Sequence, residues 1–140
     1  RIGYLKADGT IVGTDGENLT FEITAKGEFF VKIRHRNHLP AMSNVKLAAN
    51  GVNDQVFDFT SSAAYGTNGT IDMGSGVLGL YAGNGENTDL TIDSDDFDGA
   101  WTNRGVTAYS PHDVNLDNVV SASDRSLIYN NQSESSRISE

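Results

Sequence analysis

The segment 113–124 carries oxygen-bearing side chains in the order of an EF-hand-type calcium loop. Calcium takes about six to eight oxygen ligands, and a tightly wound loop can supply them from alternate residues. Position 7 of such a loop contributes its backbone carbonyl, which here belongs to Val119. The side-chain oxygens at positions 1, 3, 5, 9 and 12 come from Asp113, Asn115, Asp117, Ser121 and Asp124. We therefore predict a calcium site in this segment, the second loop.

Two residues of the second loop differ from the usual EF-hand. Position 6 is Asn118 rather than Gly, but Asn tolerates the left-handed conformation better than most residues. Position 12 is Asp124 rather than Glu. The apolar residues at 127–129 that follow predict a short helix leaving the loop. The alternative interpretation is a polar Asn/Asp surface turn that binds no metal.

An earlier segment, 84–96, repeats this pattern if one residue is inserted at 87–88. Positions 1, 3, 5, 7 and 12 of this first loop are then Asn84, Glu86, Asp89, Thr91 and Asp96. The inserted register places Ile92 where Val120 lies in the second loop, whereas without it position 12 would be Asp95. We expect a short helix over 96–101, with Trp101 in the core between the loops. A degenerate first loop that holds no metal is the alternative.

The composition limits the function classes that remain. A chain of 140 residues suits one domain, or one domain with a small appendage. Residues 1–82 hold seven Lys/Arg against eight Asp/Glu, a net charge of −1, whereas residues 83–140 hold three against eleven, a net charge of −8. This acidic balance argues against nucleic-acid binding, which needs Lys and Arg. Cys is absent, and no apolar run is long enough to insert in a membrane.

Short alternating apolar segments separated by turns fill the first part of the chain. Residues 4–5 and 10–12 flank Asp8-Gly9, which is a strong hairpin signal. Phe29, Val31 and Ile33 alternate with polar neighbours, which is typical of a half-buried strand. We therefore predict an all-β, immunoglobulin-like sandwich over residues 1–82. A small module of paired calcium loops with short helices then covers residues 83–140.

Three sequence features together resemble a known family. Segments 34–39 (RHRNHL), 64–68 (AYGTN) and 76–83 (GVLGLYAG), followed by the paired loops, resemble the C-terminal regions of large secreted bacterial surface proteins. Those adhesin- or haemagglutinin-like regions end in a β-sandwich followed by dockerin-type-I-like calcium repeats. The resemblance implies an extracellular or cell-surface location, calcium binding and a non-catalytic role. The second loop, with Asp at position 12, matches the family fully, whereas Asn84 replaces its usual Asp and no cohesin-contacting residues are matched.

The resemblance also suggests how the chain assembles. In that family a further strand precedes the segment that matches residues 1–5, and a sandwich lacking a strand exposes an edge that another chain can fill. We therefore expect self-association, or pairing with another surface protein chain, by strand exchange or edge pairing, as in an extracellular filament. The alternative is a sandwich that is complete as it stands.

Other candidate sites are weaker. On one continuous strand, His35 and His38 would point to opposite faces, which is poor geometry for zinc or catalysis. We expect the neighbouring Arg34 and Arg36 to bond loops or carboxylates. Acidic pairs are too common in this chain to indicate a glycosidase, so no enzyme is predicted. A non-catalytic module that binds a glycan or a protein remains the alternative function, with four aromatic candidates: Trp101, Tyr65, Tyr81 and Tyr109.

Overall fold

The computed structural model describes residues 1–6, 10–21, 26–50, 55–66, 69–86, 89–136 and 138. Over these residues the chain is rich in short β-strands and contains two short helices, which confirms the prediction of a mainly β chain. The strands are only two to five residues long. Gly, Asn, Asp and Ser turns interrupt the apolar segments at close intervals and keep them short. None of the helices in the described ranges is long and apolar enough to span a bilayer.

The strands of the described residues form four antiparallel sheets of two strands each. In chain order they are β1 (Tyr4–Leu5), β2 (Ile11–Val12), β3 (Gly27–Phe29), β4 (Lys32–His35), β5 (His38–Met42), β6 (Leu47–Ala49), β7 (Ile71–Asp72) and β8 (Leu78–Gly79). The pairs are β1 with β2, β3 with β6, β4 with β5 and β7 with β8. The predicted N-terminal hairpin corresponds to β1 and β2, and its turn at 7–9 lies outside the described residues.

The predicted strand through Phe29 and Ile33 is divided in the structure. Phe29 lies in β3, which pairs with β6, and Ile33 lies in β4, which pairs with β5. The side chain of Ser43 accepts a hydrogen bond from Val31 N (3.1 Å), and Ser43 N donates to Val31 O (2.8 Å). The segment with alternating apolar and polar residues does form strands, but the chain changes from pairing with β6 to pairing with β5 at residues 30–31.

The β4–β5 hairpin is tied to the segment that leads into the first loop. His35 pairs with His38 across the two-residue turn of Arg36 and Asn37, and we call residues 35–38 the hairpin tip. His38 also bridges to Ala82, and Gly83 N donates to Asn37 O at 3.0 Å. The tip is thereby fixed beside residues 82–83.

Both helices of the described chain begin with a capping box. Helix α1 (Ser94–Thr102) starts with a capping box between Asp93 and Asp96, and helix α2 (Ala122–Asn130) starts with one between Ser121 and Asp124. In each box the first side chain accepts from the backbone of the helix, and the second accepts from the backbone of the first residue. The position-12 residue of each loop therefore also fixes the start of the helix that follows it.

The main apolar core lies between the two helices and their loops. Its fully buried members are Leu39, Ile92, Ala100, Val114, Val120 and Ile128. Leu39 belongs to β5, so this core crosses the predicted domain boundary at residue 82. The prediction that Trp101 lies in the core is wrong, because its side chain is 49% exposed. Its neighbour Ala100 is buried instead, since adjacent helical residues point about 100° apart.

Candidate metal centre

The second loop brings three carboxylates together. Oxygen atoms of Asp113, Asp117 and Asp124 all lie within 4.8 Å of one another. Asp113 and Asp124 are buried, whereas Asp117 is exposed at the mouth of the loop. Three of the predicted ligand positions, 1, 5 and 12, therefore converge on one point.

Backbone N–H groups hold the two buried carboxylates in place. Asp113 Oδ1 accepts from Asp117 N at 3.1 Å, and its Oδ2 accepts from Asn118 N at 3.0 Å. Asp124 Oδ1 accepts from Val114 N at 2.8 Å, and its Oδ2 accepts from Ser121 N at 2.8 Å. Each oxygen of Asp113 accepts one of these bonds and keeps a lone pair for a cation. Asp124 Oδ1 also accepts from Asn115 N at 3.1 Å, and its Oδ2 from the Ser121 hydroxyl, so a cation at Asp124 would have to displace that hydroxyl.

The remaining predicted positions of the second loop lie around this cluster. Both polar atoms of the Asn115 side-chain amide bond Asp117. Nδ2 donates to Asp117 Oδ2, and Oδ1 accepts from Asp117 N, each at 2.9 Å. Val119 N donates to Asp117 Oδ1 at 3.0 Å. The Ser121 hydroxyl donates to Asp124 Oδ2 at 3.2 Å. These contacts wind the loop around the carboxylate group.

Two residues of the second loop adopt left-handed backbone conformations. Asn118 has φ 73°, which agrees with the tolerance expected of Asn at position 6. Leu116, at position 4, has φ 64°, and no local hydrogen bond of its side chain can compensate for the strain. The tight winding therefore imposes strain at position 4.

The electrostatics of the second loop favour a cation. Within the described ranges, no Lys or Arg lies within ion-pair distance of Asp113 or Asp124, and the adjacent His112 places Nε2 at 3.8 Å from Glu86 Oε1. Buried carboxylates that repel one another at this distance are unfavourable unless a positive charge is added. The donors are all oxygens, which fits a hard divalent cation.

The first loop has the same backbone pattern in the inserted register. Thr91 N donates to Asp89 Oδ1 at 2.8 Å, as Val119 N does to Asp117 Oδ1 in the second loop. Asp96 accepts from Glu86 N and from Asp93 N, both at 3.0 Å. Burial raises the pKa of Asp96, and these backbone donors oppose the shift. Asp89, Thr91 and Asp96 are therefore structural counterparts of the second-loop residues.

The side chains at the start of the first loop are arranged differently. Asn84, buried at position 1, donates from Nδ2 to Asp89 O at 3.1 Å, where Asp113 in the second loop only accepts. The Glu86 carboxylate lies beside His112. Among the described residues, the carboxylates of Glu86, Asp89 and Asp96 do not form a close group like that of the second loop. The metal prediction for the first loop thus has less geometric support.

The prediction that His35 and His38 face opposite directions is wrong. Their Nδ1 atoms lie 2.9 Å apart and their rings are nearly perpendicular, at 84°. The prediction assumed a continuous strand, but the chain reverses at Arg36 and Asn37, so the two rings face each other across the turn. Burial, followed by the charges of His35 and Arg36, lowers the pKa of His38 to about 4. Burial and Arg36 also lower the pKa of His35.

Asn37 is a site residue that the sequence did not single out. Its side chain is fully buried, and Nδ2 donates to the backbone oxygen of Asp113 at 2.6 Å. The two residues are 76 positions apart, so no local pattern could have predicted the contact. Asn37 links the β4–β5 hairpin directly to position 1 of the second loop.

Three of the four aromatic candidates, Trp101, Tyr65 and Tyr109, are exposed, whereas Tyr81 is partly buried against the core. Two of the exposed rings already stack with guanidinium groups. Arg104 and Arg125 stack on Trp101 at 4.3 and 4.4 Å from the ring centre. Arg36, which we expected to bond a loop or a carboxylate, stacks on the ring of Tyr109, which lies in the loop after α1, at 4.2 Å. The rings of Trp101 and Tyr109 are therefore partly covered.

Comparison with known proteins yields no relative: no family model, no curated protein and no solved structure matches the chain. The geometry of the two loops, together with the order of their ligand residues, carries the functional argument.

Proposed function

We propose that this chain is a calcium-binding extracellular protein with a structural or adhesive role. The observation that carries the proposal is the convergence of Asp113, Asp117 and Asp124 in the second loop. The ligand order of this loop and its purely oxygen donor set favour calcium. Magnesium is less suited, because it demands a near-ideal octahedral shell and retains its waters. Calcium is abundant outside cells, where low-affinity loops of this type are filled.

In the proposed role, calcium stabilises the fold and takes no part in a reaction. Bound calcium would offset the mutual repulsion of the second-loop carboxylates and part of the net charge of −8 on residues 83–140. Asp113, Asn115, Asp117 and Asp124 would supply side-chain oxygens, and Val119 its backbone carbonyl. Metal binding and folding of this region should then be coupled. In this proposal the first loop holds a second and weaker site, formed by Asn84, Glu86, Asp89, Thr91 and Asp96.

The finer architecture is part of the proposal. We interpret residues 83–140 as a dockerin-like pair of loop–helix units, because both loops share a capping box and the same backbone bonds. Residues 1–82 would form an immunoglobulin-like sandwich once their strands are extended by pairing. Over the residues that the structure describes, the separate two-stranded sheets leave edges open for such pairing.

Thermal unfolding in calcium and in chelator tests the metal proposal. At a hundredfold excess over its Kd, calcium should add about 2.7 kcal/mol to the free energy of unfolding, or about 10 °C in Tm. Asp117→Asn should lose most of this gain, because Asp117 is exposed and its substitution leaves the core intact. Asp98→Asn, an exposed acidic residue of α1, is the matched control and should retain it. Identical melting of the unsubstituted chain in both conditions contradicts the proposal.

Assembly is the second part of the proposed function, and its support lies in the N-terminal hairpin. Ile2, Tyr4 and Leu5 are 81%, 61% and 56% exposed, and among the described residues β1 pairs only with the two residues of β2. Exposed apolar side chains on a short open-edged sheet favour pairing with a second chain. We propose that this edge joins copies of the chain, or another surface protein, into an extracellular assembly.

Sedimentation velocity tests the assembly. With millimolar calcium we expect large species, which shrink in excess chelator. Leu5→Lys should reduce assembly, because a charge on the edge strand opposes pairing. Phe21→Lys is the control, since Phe21 is 57% exposed but lies outside every strand of the described chain. A compact monomer in all conditions contradicts this part of the proposal.

A non-catalytic module that binds a glycan or a protein partner is the second candidate. The exposure of Tyr109, Trp101 and Tyr65 favours it, since sugars stack on exposed rings. The arginine stacking on Trp101 and Tyr109 weakens it, because those ring faces are already in contact. A glycan array with the calcium-loaded chain distinguishes the two candidates.

A further inference from the structure

The hairpin tip connects a histidine pair to the second loop. Asn37 is the connecting residue: its Nδ2 donates to Asp113 O at 2.6 Å, and its Oδ1 lies 2.8 Å from His38 Nδ1. His38 Nδ1 in turn lies 2.9 Å from His35 Nδ1. A chain of polar contacts therefore runs from His35 through His38 and Asn37 to position 1 of the loop.

This arrangement requires at least one neutral imidazole. A neutral His38 that carries its proton on Nδ1 can donate to Asn37 Oδ1, while His35 Nδ1 accepts. If both rings are protonated, two N–H groups face each other at 2.9 Å and two positive charges meet. The docked tip is therefore compatible with neutral histidine and opposed to the doubly charged pair.

Within the described part of the chain, no carboxylate forms an ion pair with either histidine. On the hairpin, Arg36 lies between the two histidines and adds a positive charge. On the segment paired with β5, Tyr81 is held neutral, because burial and then Glu134 raise its pKa. From the second loop the tip meets the backbone oxygen of Asp113 through Asn37. Burial and Arg36 thus oppose protonation of the pair, whereas the hydrogen bond to Asn37 favours protonation of His35.

We propose that the hairpin tip is a pH-sensitive clamp on the second loop, in which Asn37 positions Asp113 for metal binding and protonation of His35 and His38 releases the tip. The inference rests on the proposed calcium site and adds a positioning residue and a regulator to it. Asn37 acts through the backbone of Asp113 and does not touch the metal. Calcium should bind weakly in mildly acidic conditions and tightly at neutral pH.

The size of the effect follows from the protonation equilibrium of His38. A histidine whose pKa falls from 6.5 to about 4 on docking can weaken the docked state by up to about twentyfold between pH 7 and pH 5. Carboxylates with ordinary pKa values of about 3.9 lose only about a tenth of their ionised form at pH 5. The histidine contribution can therefore be separated from ligand protonation.

Calorimetric titration with calcium chloride at pH 7 and pH 5 tests the clamp. For the unsubstituted chain the affinity should fall by up to about twentyfold at pH 5, and for His38→Gln by less than about twofold. Asn37→Ala should bind weakly at both values. His112→Gln, which removes the histidine next to Asp113, is the control and should retain the full pH effect.

Three results overturn the clamp: a pH effect that persists in His38→Gln, one that disappears in His112→Gln, or Asn37→Ala with unchanged affinity. If Asn37→Ala does not fold by circular dichroism, the two histidine variants decide the question. Failure of the unsubstituted chain to bind calcium at pH 7 contradicts the proposed metal site itself, so the two failures are distinguishable.

Discussion

Ile92 and Val120 occupy equivalent positions in two successive loop–helix units. The backbone oxygen of each accepts a hydrogen bond from the segment that follows the helix of the other unit. Gly105 N donates to Val120 O, and Ser133 N donates to Ile92 O, both at 2.8 Å. Gly105 and Ser133 share a left-handed backbone, with φ of 84° and 77°. The two units therefore complete each other in a reciprocal, pseudo-twofold arrangement.

This reciprocity makes the core between the units a shared one. Ile92→Ala should lower the free energy of unfolding by about 3 kcal/mol, because Ile92 is fully buried and its truncation leaves a cavity. Urea unfolding measures the loss, and hydrogen exchange should show that both loops open together. Val106→Ala, at a partly exposed position, is the control and should cost less than about 1 kcal/mol. Opening of the first loop alone contradicts a shared core.

The strained residue of the second loop supplies a stabilising substitution. Leu116→Gly should raise the free energy of unfolding by up to about 1 kcal/mol, because the left-handed conformation at φ 64° costs an L-residue about 1–2 kcal/mol and Gly almost nothing. The greater flexibility of Gly in the unfolded chain offsets part of the gain. Leu127→Gly, inside α2, is the matched contrast and should destabilise. If Leu116→Gly lowers the free energy of unfolding, the claim that the backbone is strained at Leu116 is contradicted.

Arg125 stacks on aromatic rings of α1 from its position on α2. Its guanidinium lies 4.1 Å from the centre of the Phe97 ring and 4.4 Å from that of Trp101. Arg125→Gln should therefore cost about 1 kcal/mol in urea unfolding and shift the fluorescence of the single Trp. Arg104→Gln removes a stacking contact near the end of α1 and should cost less than half as much. Equal costs would contradict an interhelical role for Arg125.

Stability should also fall in mild acid, even without calcium. The pKa of His38 is about 4 in the folded chain and 6.5 in the unfolded chain, where its folded contacts are lost. Between these two pH values the unfolded chain therefore binds more protons than the folded chain. The contribution of His38 to the free energy of unfolding is fully present above about pH 6.5 and is lost as the pH falls toward 4. Melting in chelator from pH 7 to 4.5 measures the slope, which should be smaller in His38→Gln. Equal slopes in both chains contradict the assignment.

The sequence predicted those parts of the site that depend on local spacing. The carboxylate group of Asp113, Asp117 and Asp124 and the two helices after the loops follow from residues close together in the chain. The position of Asn37 against Asp113 could not be predicted, since it depends on a hairpin folding onto a distant loop. The facing of His35 and His38 was missed for a related reason, because alternation does not reveal where a strand reverses.

The β-rich part was less predictable than the loops. Alternating segments predicted strands, but Phe29 and Ile33 pair with different strands, and the pairing of β3 with β6 depends on contacts between distant residues. Trp101 was misplaced because size and hydrophobicity favoured burial, whereas the helix turns Ala100 inward and leaves the ring to stack with arginines. Long-range packing decided each of these cases.

Calorimetric titration of the purified chain with calcium chloride at pH 7 tests the central claim most directly. The account predicts saturable binding of at least one ion per chain, at least about tenfold weaker in Asp117→Asn and unchanged in Asp98→Asn. No saturable binding by the unsubstituted chain, or equal binding by Asp117→Asn, would contradict a calcium site built on the second loop.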